Sequence, residues 1–386
     1  MERFTFRPLV WGVLLVLVVF GGSGCSREKA AEEVALKKTA AHASKKCKPH
    51  LDRWKPDFDP STAKFRCIVS NVSHPVIKGV SAGFAIRDAL WKRTNGAIYF
   101  DFKPLSMLGG EVEVLGQLQM GAIQGMGVSS VAATNLGPRF GLVNLPFLVD
   151  SFDKLDRFVE SGPLFDHFMR AMAHQGITGL DITGYGSYGW ATTLPVRRLS
   201  DAGKVKFRIA EAVVNKSLYD AWGLNPVVMP WPDVPVSLKQ GVITGLDHTP
   251  TVCNITKKFE VAEHYTRVNY AQGLFIWIFN TAWLKSLPED LRKIFVQVVH
   301  DVCADARRQT RQQEEVQIAK AKAQGVHFYS LPHDEMRFLR QKGHVVHENW
   351  REAINRLDKA DGYRPADYLA EVQAYLGYTT RQGRLK

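Results

Sequence analysis

Five cysteines in a chain of 386 residues are too few to staple a fold. Small disulfide scaffolds are excluded, and a core of ordinary apolar side chains has to hold the molecule together. No second hydrophobic segment matches the run Leu9–Phe20, which is itself shorter than the roughly 20 residues a bilayer-crossing helix needs. No internal repeat is present, so solenoids and propellers are excluded. No Ser/His/Asp set stands out as a catalytic triad. His344, His347 and Glu348 read His-x-x-His-Glu, which is not the His-Glu-x-x-His of a zinc helix, and an exposed helix is expected there. The formal charge is +12, but its lysines and arginines lack interleaved aromatics. Lys37, Lys38, Lys45, Lys46 and Lys48 fall in a dispersed stretch, and Arg307, Arg308 and Arg311 on a helix. Solvated surface is expected, not a nucleic-acid face.

The N-terminus is organised for export. Arg3 and Arg7 precede the apolar run, and Gly21-Gly22-Ser23-Gly24 leads to Cys25. This is the layout of a secretory signal. Gly22-Ser23-Gly24-Cys25 resembles a bacterial lipobox, although Gly22 stands where leucine is usual. The expectation is a signal peptide over 1–24, lipidation of Cys25, and a tether over 25–63 with Pro49, Pro56 and Pro60. Ordinary cleavage nearby, releasing a soluble protein, is the alternative. Cys47–Cys67 and Cys253–Cys303 bridges both stay open, and Cys67 is expected to be buried.

The remainder alternates strand and helix signals. Phe65–Val69 reads as a strand. Ile77, Val80, Phe84 and Trp91 form a helical stripe, and Ile98, Phe100 and Phe102 alternate as a strand does. Helices are expected at Glu111–Met120 and Asn215–Trp222, and strands at Ala122–Val128, Gly176–Ile182, Lys206–Ala210, Pro226–Met229 and Leu274–Phe279. After Pro288 the apolar stripe Leu291, Ile294, Phe295, Val298, Val299 and Val302 opens the longest helix, which runs on to about Gln324 and stops at Gly325. A further helix follows Pro332. Alternation of this kind predicts an α/β fold, and 320 residues of it predict two lobes around a cleft.

Several blocks, in this order and spacing, resemble the DctP-type substrate-binding subunit of tripartite ATP-independent periplasmic (TRAP) transporters. They are Lys92-Arg93-Thr94-Asn95-Gly96, Leu108-Gly109-Gly110-Glu111, Gln117 to Ile123, Asn144-Leu145-Pro146-Phe147-Leu148, Lys206-Phe207-Arg208-Ile209, Trp222 to Val227 and Leu238 to Gly245. The resemblance implies a two-lobed periplasmic solute-binding protein fold with hinge strands and one long spanning helix. Its lobes would be 64–185 plus 273–313, and 186–272 plus 314–386. It also implies a ligand carboxylate held by an arginine that matches Arg208. A guanidinium suits that task because it donates two parallel charge-assisted hydrogen bonds. The residues alone leave open a structural ion pair between Arg208 and Glu211.

Where the family often carries a second arginine, this chain reads Gly184-Tyr185-Gly186-Ser187-Tyr188-Gly189-Trp190. Arg197 and Arg198 come later, beside Pro195, and read as a surface turn. One cation implies a monocarboxylate, such as a 2-oxo or 2-hydroxy acid. Asp247 and His248 stand where the family often has Glu-Asn. Trp231 takes the place of a wall on the ligand, with Tyr188 and Trp190 as further aromatic surface. Ser129, Ser130 and His74 follow predicted strands, where α/β clefts collect ligand contacts. A co-bound cation, known in some members, would fall to Asp247 or Glu211, but no metal and no cofactor is expected. Gly184 to Gly189 also matches Gly-x-Gly-x-x-Gly, yet Ala191–Gly203 reads as a loop and not as the helix a dinucleotide site needs. The expectation is a periplasmic lipoprotein that passes a small organic acid to TRAP membrane subunits and is not an enzyme. A ligand receptor for a sensor protein and a lipid-anchored enzyme are the alternatives.

Overall fold

The computed structural model describes residues 54–356 and 366–379. The signal segment, Cys25, Cys47 and the tether as far as residue 53 lie outside the described residues. Inside the expected tether, the Phe58 ring stacks on Trp91 with centroids 4.1 Å apart.

From Phe65 the chain alternates strand and helix: β1 (Phe65–Ser70), α1 (Lys78–Arg93), β2 (Ile98–Lys103), α2 (Glu111–Gln119) and β3 (Gly125–Ser129). Three short helices, α3 (Ser130–Ala133), α4 (Phe152–Val159) and α5 (Pro163–Met169), lead to β4 (Ile177–Ser187). After β5 (Gly189–Thr192) come α6 (Leu199–Ala202), β6 (Phe207–Ile209), α7 (Val213–Ala221), β7 (Val227–Val228), α8 (Val234–Lys239) and β8 (Gly245–His248). The chain then forms α9 (Pro250–Ile255), β9 (His264–Arg267), β10 (Gln272–Asn280), α10 (Thr281–Ser286), α11 (Glu289–Ala323), β11 (His327–Ser330), α12 (His333–Asn355) and α13 (Tyr368–Tyr375).

The strands make two sheets, ordered β2-β1-β3-β10-β4 and β11-β9-β5-β8-β6-β7. In the first, β1 runs parallel to β2 and β3, and β10 runs antiparallel to β3 and β4. Crossover helices such as α1 cover it, and α1 buries Val80 and Phe84 of the expected stripe together with Ile86 and Leu90, while Trp91 is only partly buried. Only Tyr188 separates β4 in the first sheet from β5 in the second, and Val268 to Ala271 carry the chain back from β9 to β10. The long helix is the third link between the sheets. At 35 residues it spans about 50 Å, and it packs on α1, β4 and α9.

Its first half buries Phe295, Val298, Val299 and Cys303, and its second half buries Thr310 and Gln317. The change from apolar to polar follows what lies beneath. Thr310 Oγ1 donates to the Gly184 carbonyl at 2.9 Å. The Glu314 carboxylate accepts from Ser187 N at 2.6 Å and from Ser187 Oγ at 3.0 Å. Gln272 Nε2 on the return strand donates to the same Ser187 Oγ at 3.0 Å. Gly186 has φ +117°, and a Cβ there would stand 2.2 Å from Glu314 Oε2. The helix therefore clasps β4 through polar contacts, and β10 joins them through Gln272 at Ser187.

Two expectations fail locally. Ala191–Gly203 is not all loop, since Ala191 and Thr192 pair in β5 and Leu199–Ala202 is a helical turn. Ala191 and Thr192 are drawn into the sheet by pairing with β8 and β9, a tertiary contact that overrides the local loop signal of Thr193 and Pro195. His347 is not on an exposed surface, because α12 presents Leu339, Gly343, Val346 and His347 to the interior. The His347 ring lies with Nε2 2.9 Å from the Pro146 carbonyl. Cys67, Cys253 and Cys303 are free and buried, so Cys253 and Cys303 are not bridged. Arg197 and Arg198 are exposed, as a surface turn requires.

Candidate functional site

A recess lies between the two sheets, where the C-terminal ends of several strands converge. From the first sheet it takes Val72 and Ser73 beyond β1, Ser129 at the end of β3 and Glu111 at the start of α2. From the second it takes Arg208 on β6, Asp247 and His248 on β8, and Asn215 on α7. Tyr185 and Phe275 on the crossing strands form its back, with Tyr188 and Trp231 as walls.

Arg208 is only 5% exposed. Its Nε donates to the Met229 carbonyl at 2.9 Å, which fixes the plane of the guanidinium. Its Cζ stands 5.5 Å from the Trp231 ring centroid, within cation–π range. No carboxylate among the described residues lies within ion-pair distance of it, Glu211 included. The terminal amino groups are thus left for another acceptor. Glu111 and Asp247 act on Arg208 through space only.

Glu111 is half-buried, and its carboxylate accepts from Ser129 N at 2.6 Å and Ser129 Oγ at 2.7 Å. Burial pushes its carboxyl above the usual range, against the pull of those two donors and of Arg208. Asp247 is buried. Tyr270 Oη donates to its Oδ2 at 2.5 Å, while Oδ1 makes no well-formed hydrogen bond. Burial pushes this carboxyl up to about 7. Trp190 Nε1 and Tyr219 Oη, also buried, likewise lack partners of good hydrogen-bond geometry.

His248 Nδ1 accepts from Thr249 N at 2.9 Å, so in the neutral ring the proton sits on Nε2. Burial, then the positive fields of Arg208 and Lys258, hold its protonation well below the ordinary histidine range. Its ring packs 4.8 Å from Trp231. The Tyr185 and Tyr188 hydroxyls share a hydrogen bond of 2.6 Å. The recess therefore offers one forked cation, a neutral imidazole, hydroxyls, two carboxylates and aromatic faces. It has the parts to grip a small acid and no activated nucleophile.

Arg208, Trp231, Asp247, His248, Tyr188 and Ser129 meet at this recess. Ser130, His74 and Glu211 do not line it. Ser130 Oγ donates instead to Asn144 Oδ1 at 2.8 Å, within the core. His74 Nδ1 accepts from Val76 N at 3.2 Å, shaping the turn into α1. Glu211 is engaged through its carbonyl, which accepts from Asn135 Nδ2 at 2.7 Å. Cys25 lies outside the described residues. The lining residues Glu111, Asn215, Tyr185, Ser73 and Phe275 escaped the sequence reading. For Glu111 a signal existed, an acidic residue opening a helix after Gly109-Gly110, where the chain turns into the cleft.

The rival motifs resolve structurally. The Gly184–Gly189 match lies along β4 and β5, with no helix opening at its glycines. Gly79-Val80-Ser81-Ala82-Gly83 formally reads Gly-x-Ser-x-Gly, but it lies inside α1 and not on a strand-to-helix turn. Ser81 Oγ donates to the Lys78 carbonyl at 3.1 Å. Gly79 is there for close approach, since a Cβ would stand 2.1 Å from the Gly184 carbonyl oxygen. No cluster of potential metal ligands exists among the described residues.

Comparisons with known proteins agree with this architecture. Residues 69–353 match the family model DctP, bacterial extracellular solute-binding protein, family 7. The C4-dicarboxylate-binding periplasmic protein DctP of Vibrio cholerae is 25% identical over 253 residues, 66% of this chain and 75% of that one. Among solved structures, a TRAP periplasmic solute-binding protein from Ralstonia eutropha H16 with bound (S)-2-acetolactate superposes with TM-score 0.73 and 19% identity. That match covers 83% of this chain and 99% of the other. Another, from Xanthobacter autotrophicus Py2 with bound β-D-galacturonate, gives TM-score 0.73 and 20% identity, covering 80% and 99%. At such identity the superpositions speak for the two-lobed fold, while the family model spans most of the chain. The chain belongs to the bacterial extracellular solute-binding proteins of family 7, the DctP family of periplasmic transport receptors.

Proposed function

We propose that this protein captures a small monocarboxylate, a 2-hydroxy or 2-oxo acid, on Arg208 and delivers it to TRAP membrane subunits. The observation that carries this reading is the buried guanidinium whose terminal nitrogens face the recess unpaired. Arg208 is the single cation among the lining residues, so a second ligand carboxylate would be buried without a partner, a costly arrangement. The Vibrio cholerae relative is named for C4-dicarboxylates. The Ralstonia and Xanthobacter neighbours hold acids with one carboxylate, acetolactate and galacturonate. Trp231 and Phe275 would cover the apolar faces of the ligand, and the His248 Nε2–H, Tyr188, Ser129 and Asp247 would meet its polar groups. In this proposal the lobes are 64–185 plus 273–313 and 186–272 plus 314–386, and Cys25 carries a lipid anchor on the periplasmic side. A ligand that binds both lobes favours their closed arrangement, which is what the membrane subunits would read.

A thermal-shift screen of the purified protein against organic acids tests this. A ligand at 100 times its Kd adds about 2.7 kcal/mol of stability. The expected result is a shift from one class of monocarboxylate that disappears in Arg208→Ala. A dicarboxylate giving the largest shift would overturn the ligand class, and shifts unchanged in Arg208→Ala would overturn the role of Arg208.

A further inference from the structure

We propose that Asp247 takes up a proton from solvent when a carboxylate seats on Arg208, so that the recess loads an acid anion and a proton together. The inference rests on the carboxylate-receptor reading and adds a coupled second occupant to the same site.

The geometry is the basis. Arg208 and Asp247 lie on neighbouring parallel strands, with Phe207 paired to Gly245 and Arg208 to Leu246, and both line the recess. Before a ligand arrives, Asp247 supplies part of the negative charge that balances the buried guanidinium. A ligand carboxylate takes over that task and places a second anion in a dry site. Two anions then share one cation, and the group that can accept a proton at least cost becomes neutral.

Asp247 is that group. Its buried Oδ1 lacks a partner of good hydrogen-bond geometry, and besides Tyr270 only the Tyr219 hydroxyl acts on the carboxylate as a donor, so a proton there displaces no well-formed bond. The groups facing Asp247 supply no further cation. They are Tyr270 ahead of β10, Tyr219 on α7, Trp190 on β5, Tyr185 on β4, Tyr188 between the sheets, Tyr265 on β9, Cys253 on α9 and the neutral His248 beside it. Phenols and a thiol are never cationic, and burial keeps these neutral, so they add neither a compensating positive charge nor a further anion beside Asp247. Glu111, across Arg208, is the rival acceptor, but its ionised form is held by two donors from Ser129. The carboxyl of Asp247 already titrates near neutrality, so a modest added repulsion suffices to load it. No covalent bond changes: the ligand enters as the anion, and one proton moves from water to Asp247.

Linkage fixes the sign. If binding takes up a proton, affinity falls as pH rises, by at most about tenfold per pH unit, in the window above the ligand-free Asp247 midpoint. The test uses the full chain with ¹³C-labelled aspartate and ¹⁵N-labelled arginine, and potassium formate as the carboxylate probe. Arg208→Lys and Asp247→Asn assign the two signals. The expected result is a formate-dependent shift of the Arg208 resonance, a rise of the Asp247 midpoint by a pH unit or more, and formate affinity that falls several-fold from pH 7 to 8. The affinity profile needs only the wild-type protein, so a poorly folding Asp247→Asn would not remove the test. An Arg208 signal that responds while the Asp247 midpoint stays fixed would overturn the proton coupling and leave the receptor reading standing. An Arg208 signal that responds to neither formate, pyruvate nor succinate would overturn both.

Discussion

At the scale of single residues, the site is a guanidinium held by one backbone carbonyl and one indole face, with its fork turned to the recess. Arg208→Lys keeps the charge and loses the fork. Losing one charge-assisted bond of about 1.5–3 kcal/mol predicts acid affinity at least about tenfold weaker, read by calorimetry. The buried Asp247 carboxyl gives a stability prediction that needs no ligand. Its folded-state midpoint is raised from 3.8 to about 7. The folded state therefore favours the protonated form, and its contribution is full below about pH 4 and lost as pH rises towards 7. Asp247→Asn, which cannot ionise, should gain on the wild type in urea melts between pH 5 and 8, and a constant gap would refute the raised midpoint. Gly79→Ala should cost about 1–3 kcal/mol, because its Cβ would collide with the backbone of β4. Arg208 stood out as a charged residue inside an apolar strand, but that pattern left a structural ion pair with Glu211 open, and only the family resemblance pointed to a ligand. Asn215 and Tyr185 did not stand out, since each sits in a segment whose pattern is ordinary and only tertiary packing turns it inward. Ser130 and His74 misled for a related reason: following a strand end brings a residue near the cleft but does not aim its side chain.

At the scale of elements, the apolar stripes placed α1, β2, β10 and the first half of α11 correctly, because in those segments burial alone dictates the pattern. The second half of α11 shows what such stripes leave out. Thr310 and Glu314 are hydrogen-bonded to the crossing strand β4 and Gln317 accepts from Asn254 on α9, and a polar stripe carries no periodic hydrophobic signal. Glu314→Ala would leave Ser187 N without its acceptor. An unsatisfied buried donor costs about 1–3 kcal/mol, so a melting temperature unchanged in this variant would show that the clasp is idle. The helical turn α6 was missed because four residues hold too few positions to establish a period, whereas short β7 falls inside the strand expected at Pro226–Met229.

At the scale of the whole molecule, the sheets are joined by two strand crossings and one helix, and the recess takes residues from both sides. A ligand bridging them should draw them together. Small-angle scattering is expected to give a smaller radius of gyration with the bound acid than without it, and Arg208→Ala should abolish the difference. The two-lobed plan was readable from alternating elements and ordered family blocks, whereas the stacking of Phe58 was hidden because one aromatic in a proline-rich stretch leaves no pattern. The three buried thiols carry a different consequence. Cys67 lies in the first sheet, Cys253 on a helix beside the second, and Cys303 on the helix that joins them. Burial holds each thiol well above its ordinary range, Cys253 at about 12, so these three present almost no thiolate to oxidants. In an oxidising compartment each is a one-way recorder: once the chain opens far enough to be attacked, the damage persists after it refolds. The order in which the three become modified would date, lobe by lobe, how the protein comes apart.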